Sequence, residues 1–255
     1  MIELSSETRH LRFDEVTGAT IDALEVRTDK ELSPLETLEE AAQRFCDILY
    51  TTFEESTVLV RVFATVPFAA LPRTIRAFVE RLVGAGARHV LGPKTPVLSL
   101  LGTRGVVPRW NSRHLSEGHV GIPLASADFV EAIPMIASLV KQLGLAIERA
   151  QDVETSIVTQ SLGTIAGVFY VDDAATAVDS KGRRVIAGRE FVQEHEVRTV
   201  FGFGGAYGLT GTFVVAVVFT RESVGRGQAE RFMRLANQLK TSTMKPVTRR
   251  HIFAS

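Results

Sequence analysis

The pattern of apolar and polar residues divides the chain into helices and strands. The first clear helix is predicted to start at Ser33, where Ser33, Pro34 and Glu36 match an N-cap, a proline at the first turn and a capping glutamate. Strands are predicted where β-branched and aromatic residues concentrate, and further helices where apolar residues recur every three or four positions. The predicted strands are 58–64, 96–101, 164–171, 197–203 and 213–220, and the predicted later helices are 72–84, 127–143 (kinked or divided at Pro134) and 228–239.

The strand 213–220 sets the expected position of the sheet's centre. Phe213, Val215, Val217 and Phe219 share one face, while the residues between them are also apolar. A strand that is apolar on both faces lies inside a sheet that is covered on both sides. Because the strand before it follows after a short glycine-rich turn, we expect a largely antiparallel sheet. The fold class is therefore predicted as α+β, with a central mostly antiparallel sheet flanked by helices and with the N- and C-terminal helices packed together.

Two blocks of this order are similar to the GAF fold, a relative of the PAS fold. Residues 35–64 run from a helix into a first strand, and residues 211–239 run from an apolar strand through a polar turn into a closing helix. The resemblance covers about residues 33–242 as a pattern rather than a strict motif, with residues 1–32 as an N-terminal arm and 243–255 as a tail. It implies a signal-transduction sensor module of bacterial type that binds a small ligand and relays occupancy through its terminal helices. It leaves the ligand or cofactor open, because no cysteine matches a bilin attachment site and no cyclic-nucleotide signature is found.

The charge balance and the cysteine content of the sequence limit the kinds of partner that are expected. Lys plus Arg and Asp plus Glu are 29 each, so the net charge is zero and gives no broad electrostatic basis for binding nucleic acid or a membrane. The only cysteine, Cys46, excludes an internal disulfide and lies beside an apolar helix stripe, where a core position is expected. The N-terminus has no apolar signal-peptide core, so a cytoplasmic location is expected.

The segment 102–123 is the most unusual part of the chain. It holds the only tryptophan, Trp110, together with Asn111, Arg113, His114 and His119. Long loops in compact domains often carry function, so we expect this segment to cover a ligand cavity on the sheet. The alternative is a structural lid whose tryptophan caps the core. The two histidines are five apart, which fits neither a helical metal pair nor a zinc spacing, and no metal site is predicted.

Other candidate ligand contacts lie on the strands. Arg61 interrupts the apolar strand 58–64 and would meet either an anionic ligand, an internal carboxylate or solvent. Phe201 and Phe203 share a strand face near Tyr207 and either floor a pocket or belong to the core. The predicted ligand-binding set is therefore Arg61, Trp110, Asn111, His114, His119, Phe201, Phe203 and Tyr207.

Two alternatives to a sensor stay open at the level of sequence. One is a small-molecule enzyme that uses His114 or His119 as acid or base; no catalytic motif was found, and no catalytic residue is predicted. The other is a dimerisation scaffold that binds nothing. For the sensor we expect a homodimer built on stripes of the first and last helices, and an output domain or partner protein that reads the ligand state. The stripes are Leu35, Leu38, Ala42, Phe45 and Leu49, and Phe232, Leu235 and Leu239.

Overall fold

The computed structural model describes residues 11–84, 90–116, 118–148, 156–159 and 166–254. Its strands are Thr57–Pro67 (β1), Pro96–Gly105 (β2), Gly121–Pro123 (β3), Leu145–Glu148 (β4), Ser156–Thr159 (β5), Ala166–Val171 (β6), Thr199–Ala206 (β7) and Phe213–Thr220 (β8). Its helices are Gly18–Leu32 (α1), Leu38–Thr52 (α2), Arg73–Val83 (α3), Ala127–Glu131 (α4), Pro134–Gln142 (α5), Arg189–Glu194 (α6), Arg226–Arg231 (α7), Met233–Ser242 (α8) and Met244–Thr248 (α9).

Six strands form one sheet in the order β3-β2-β1-β8-β7-β6, and every neighbouring pair is antiparallel. The predicted α+β class with a mostly antiparallel sheet is confirmed. β8 has exactly the predicted limits and is buried along its whole length, so the central strand covered on both faces is also confirmed. The strands β4 and β5 form a separate two-stranded antiparallel sheet that the sequence pattern did not predict.

One face of the sheet carries α2, which packs on β1 and β2, and α8, which packs on β7, while α1 packs on both of these helices. The predicted contact between N- and C-terminal helices is thus confirmed. The core here is rich in stacked and edge-to-face phenylalanines, including Phe13, Phe53, Phe201 and Phe232. α2 lies very close to β2, since a Cβ at Gly102 would sit 2.4 Å from the backbone of Ala42. Only glycine allows this approach.

The prediction that the first helix starts at Ser33 was wrong. Ser33 is the C-cap of α1, and α2 begins after Thr37. The Thr37 hydroxyl accepts a hydrogen bond from the Glu40 amide, and the Glu40 carboxylate accepts one from the Thr37 amide. This Thr-x-x-Glu capping box outcompetes the Ser-Pro-Leu-Glu one, because the backbone at Thr37 is extended as an N-cap requires. Residues 18–32, predicted as part of a polar arm, form a helix that buries Ile21, Leu24 and Leu32 in the core.

The apolar stripes predicted for a dimer seam are used inside the chain. Leu38, Ala42, Phe45 and Leu49 on α2 and Phe232, Leu235 and Leu239 near α8 are all at most 1% exposed and belong to the core on the helix face. Leu35 packs against the same core from outside. These residues cover the sheet and leave no such seam for a second copy, which corrects the basis of the dimer prediction.

The opposite face of the sheet is covered by shorter elements. Pro134 separates α4 from α5, as predicted, because proline cannot donate the hydrogen bond that a continuous helix needs. Residues 106–116 and 118–120 cross this face, and within these described residues the regular structure is a short 3-10 helix, Pro108–Trp110. Among the described residues, none of the helices is long and apolar enough to span a bilayer.

Candidate functional site

A cavity of about 380 Å³ lies between the second face of the sheet and its irregular cover. Its walls come from β1, β2, β3 and β8, from the start of α5 and from residues 185–188 and 191. The irregular cover contributes Arg109, Trp110, Leu115, Gly118 and His119. This is the location expected from the sequence, between the sheet and the segment 102–123. The volume is within the range of small-molecule sites.

The floor of the cavity is apolar because of strand alternation. Successive side chains of a strand point to opposite faces, so Leu59 and Phe63 on β1 face the cavity while Val60 and Val62 face the helices. Val217 and Phe219 of β8 complete the floor, and Ile136 and Leu139 of α5 form a side wall. Most of the surface that a ligand would touch is therefore hydrocarbon.

Trp110 forms part of the cover and is held by aromatic contacts. Its ring meets Phe191 edge-on at 5.6 Å and His195 at 5.0 Å between ring centroids. A Cβ at Gly105 would sit 3.0 Å from the indole, so glycine at this position lets the ring approach the end of β2. Next to it, the Asn111 side-chain oxygen accepts a hydrogen bond from the Gly105 amide at 2.9 Å. The cover is thus fastened to the sheet at one end.

Arg61 brings a positive charge into the apolar cavity. It lies in the middle of β1, between Thr103 of β2 and Val217 of β8, and its side chain is on the cavity face. Nη1 donates a hydrogen bond to the Gly118 carbonyl at 3.0 Å. Within the described part of the chain, the buried Nε has no hydrogen-bond partner and no carboxylate forms an ion pair with the guanidinium. Burial lowers the pKa of Arg61 to about 10, so the group stays cationic at neutral pH.

His119 stands beside Arg61 at the mouth of the cavity. Its backbone has a φ of 57°, an unusual value for a residue with a side chain. Loss of water around the ring, followed by the charge on Arg61, lowers the pKa of His119 below its ordinary value of 6.5. The imidazole is therefore neutral at pH 7 and can donate or accept one hydrogen bond at the cavity. Leu115, 61% exposed, adds an apolar side chain at the same opening.

The remaining loop residues of the predicted set lie on the far side of the cover. Asn111 and His114 line a separate hollow against α2 together with Glu39 and Arg113. His114 Nε2 is 3.3 Å from a carboxylate oxygen of Glu39. The five-residue spacing of His114 and His119 thus separates them to two sides of one loop instead of bringing them together.

Glu39 joins this loop to the C-terminal segment 251–254, a role that the sequence pattern did not indicate. Arg113 Nη2 donates to its carboxylate at 2.6 Å, and the Ala254 amide donates to the same oxygen at 3.0 Å. The amides of Leu38 and Glu39 donate to the carbonyls of His251 and Ile252. The Glu39 and Arg113 side chains are only 9% and 8% exposed, so this is a buried ion pair.

Three aromatic residues of the predicted set are separated from the cavity, which corrects the predicted grouping. Phe201, Phe203 and Tyr207 are at most 1% exposed and lie in the core on the helix face. Gly202, between the two phenylalanines of β7, faces the other side of the sheet, where it approaches Phe169 and Val217. The Tyr207 hydroxyl pairs with Thr243 at 2.7 Å, and burial raises the pKa of Tyr207. The alternative that these residues are core is the one observed.

Cys46, the only cysteine of the sequence, is fully buried on the helix face, and burial raises the pKa of its thiol. It cannot reach the cavity or attach a ligand there. Within the described ranges, no group of three or more His, Cys, Asp or Glu side chains is arranged to hold a metal ion.

Comparison with known proteins assigns no family to this chain. No protein-family model matches the chain, and no curated protein matches it. Among solved structures, the chain is similar to the phycocyanobilin-bound GAF domain from a cyanobacterial phytochrome, with a TM-score of 0.47, 12% identity, and coverage of 90% of this chain and 97% of that one. It is equally similar to the GAF domain of an Acinetobacter phosphoenolpyruvate-protein phosphotransferase, with a TM-score of 0.47, 12% identity, and coverage of 94% and 99%. The resemblance to GAF domains predicted from the sequence is thus found in the structural comparison as well; at these scores it tells nothing about a ligand.

Proposed function

We propose that this chain is a sensor module that binds a small molecule in the cavity between the sheet and the segment 109–119. One observation carries the proposal: an apolar cavity of about 380 Å³ encloses a cationic side chain, Arg61, that lacks a carboxylate partner among the described residues. An apolar pocket with a few convergent polar groups is the usual form of a small-molecule site. A domain that served only as a scaffold would be expected to fill this space with side chains.

The relay of ligand binding would run through the two sides of the covering loop. Trp110 touches the cavity, while Arg113, three residues later, pairs with Glu39 at the start of α2. Glu39 also accepts the hydrogen bond of the Ala254 amide, so movement of the loop is coupled to the C-terminal segment. This route replaces the dimer seam predicted from sequence, because the residues of that seam cover the sheet. An output domain or partner protein would read the C-terminal segment.

The binding step is tested by filling the cavity. Val217 lies on its floor and is 1% exposed, so Val217→Phe places extra side-chain volume where the ligand would sit. Val178→Phe makes the same substitution at a residue that is 56% exposed and outside the cavity. Native mass spectrometry of the freshly purified protein and a thermal-shift screen of small metabolites should find a ligand for the wild type and for Val178→Phe. The same ligand should not bind Val217→Phe.

The relay step needs a readout at the C-terminus. Hydrogen exchange should change on ligand binding both in a peptide covering 106–116 and in one covering 249–254. If no compound binds the wild type better than Val217→Phe, the proposed function is wrong. If a ligand binds but exchange changes only around the cavity, the relay is wrong and the binding function stands.

A further inference from the structure

Placing the Arg61 guanidinium at the centre of an apolar sheet face costs free energy, and a ligand of opposite charge would offset that cost. It occupies the centre of the sheet between two hydrogen-bonded strands, where the neighbouring cavity residues Leu59 and Phe63 are apolar. A buried charge is costly unless it is paired and hydrogen-bonded. The single hydrogen bond to the Gly118 carbonyl uses one of the five N–H donors of the guanidinium.

The donors of Arg61 favour a carboxylate over other partners. Its Nε is shielded from water and has no partner among the described residues, while Nη1 is held by Gly118. A planar guanidinium offers parallel donors that match the two oxygens of a carboxylate, and such charge-assisted pairs are the strong ones in a site shielded from water. A neutral carbonyl or hydroxyl ligand would leave the charge of this partly buried guanidinium without compensation.

The charge of the cavity indicates a single negative charge on the ligand. His119 is neutral at pH 7, since both its surroundings and Arg61 disfavour protonation. Arg109 also lines the cavity, but it is exposed to solvent. Among the described residues that line the cavity, Arg61 is the one cation that is partly shielded from solvent, and it balances one negative charge. A phosphate monoester carries about −1.5 to −2 near neutral pH.

The rest of the cavity indicates the body of the ligand. A water molecule takes up about 30 Å³ in the liquid, so a cavity of about 380 Å³ corresponds to roughly a dozen water molecules. A ligand with about that number of non-hydrogen atoms would fit. The lining around Arg61 is aliphatic and aromatic, with Val217, Phe219 and Ile136 as examples. Uncapped amides in the first turn of α5, which begins at Pro134 on the same wall, add a weak preference for negative charge.

From this arrangement we infer that the ligand of the cavity is a small apolar monocarboxylic acid whose carboxylate pairs with Arg61. The inference rests on the proposed function, because it names the chemical class recognised at the same site. Arg61 then determines specificity, and the apolar floor supplies most of the contact area.

Matched acids and amides test the charge directly. Isothermal titration at neutral pH with octanoate against octanamide, and with cinnamate against cinnamamide, compares ligands of nearly equal shape that differ in charge. Each acid should bind at least about tenfold more tightly than its amide. Octyl phosphate, with the same apolar chain, should bind more weakly than octanoate.

Variants separate a specificity role of Arg61 from a structural one. Arg61→Gln should weaken acid binding by about 30-fold or more while leaving amide binding unchanged, and Arg61→Lys should keep part of the preference for acids. Arg109→Gln, which removes a solvent-exposed cation from the same cavity, should change acid binding by less than about threefold. The melting temperature of ligand-free Arg61→Gln should equal or exceed that of the wild type, because the variant removes an uncompensated charge.

Three results would overturn the inference. They are acids and amides of equal affinity, stronger binding of octyl phosphate than of octanoate, and no binding of either acid at millimolar concentration. Each leaves the proposed function intact if the metabolite screen still finds a ligand that Val217→Phe rejects. A lower melting temperature of Arg61→Gln together with equal weakening of acids and amides would assign Arg61 a structural role instead.

Discussion

The two faces of the sheet are built for different tasks. On the helix face, α1, α2 and α8 close over a core in which Phe13, Phe201 and Phe232 pack ring against ring. On the cavity face, an irregular segment and short helices leave about 380 Å³ unfilled and admit Arg61. Interiors that are packed to full density stabilise a fold, whereas unfilled space and unpaired charge do not. The comparison suggests that one face supplies stability and that the other is kept open for binding.

The same strands serve both faces, and alternation keeps the two tasks apart. In β1 the helix face receives Val60 and Val62, and the cavity face receives Leu59, Arg61 and Phe63. A change on one face can therefore be made with little direct effect on the other, which makes the comparison open to experiment.

Phenylalanine truncation on each face should give the largest effect. Phe201→Ala removes a fully buried ring from the helix-face cluster and should lower the free energy of unfolding by about 3–5 kcal/mol. Phe219→Ala removes a ring that is 7% exposed and already borders the cavity, so its cost should be about half as large. Urea unfolding followed by circular dichroism measures both values.

Phe201→Leu serves as the control for the helix face, because it keeps most of the buried volume and should cost less than about 2 kcal/mol. Equal losses for Phe201→Ala and Phe219→Ala would mean that both faces contribute alike, and the division of tasks would be wrong.

The buried ion pair between Glu39 and Arg113 should give the next largest effect. Glu39→Gln leaves the Arg113 guanidinium, 8% exposed, without its charged partner and should cost about 3 kcal/mol in the free energy of unfolding. Glu36→Gln, at an exposed position before the same helix, should change it by less than about 0.5 kcal/mol. Urea unfolding gives the stability, and hydrogen exchange of the Ala254 amide shows whether the C-terminal segment is released.

Adding Arg113→Gln to Glu39→Gln should recover part of the loss, since the uncompensated charge is then gone. A Glu39→Gln variant with wild-type stability and unchanged exchange at Ala254 would remove Glu39 from the proposed relay.

The sequence predicts a helix or strand correctly where the local pattern of residues alone determines it. β8 was predicted at its observed limits because seven consecutive apolar residues, Phe213 to Phe219, form an uninterrupted run of mostly β-branched and aromatic type. Pro134 divided its helix because proline cannot continue one. α1 was missed because its apolar positions, Ile21, Leu24 and Leu32, are sparse among polar residues. Burial of that helix is decided by its packing on α8, which no local pattern contains.

The candidate site shows the same limit. Alternation indicated correctly that Phe201 and Phe203 share a face, but it could not say which face meets the helices. The charge in β1 was visible as Arg61 in an apolar strand, and the structure puts it on the cavity face with Trp110 and His119. The buried partner of Arg113 could not be predicted, because Glu39 lies 74 residues away and nothing in its helix marks it.

The smallest expected effect is the response of the cavity face to mild acid. The pKa of His119 is lower in the folded protein than its ordinary value of 6.5, so the unfolded chain binds more protons as the pH falls below that value. Stability should then decrease between pH 7 and pH 5, since folding opposes protonation of the imidazole. His119→Asn, which tolerates the positive φ, should reduce this decrease by at most about 0.5 kcal/mol. The effect is small because His119 as a residue is exposed, so solvent screens much of the interaction even where the cavity removes water from the ring.

Repeating this titration with octanoate bound tests the electrostatic link between Arg61 and His119. A carboxylate bound at Arg61 would neutralise the charge that disfavours protonation, so it should raise the pKa of His119 and make the wild type less sensitive to acid. Melting temperatures measured from pH 7 to pH 5, with and without octanoate, give the comparison. An acid response that is identical in His119→Asn and unaffected by octanoate would show that the titrating group lies elsewhere, and the electrostatic link between His119 and Arg61 would be wrong.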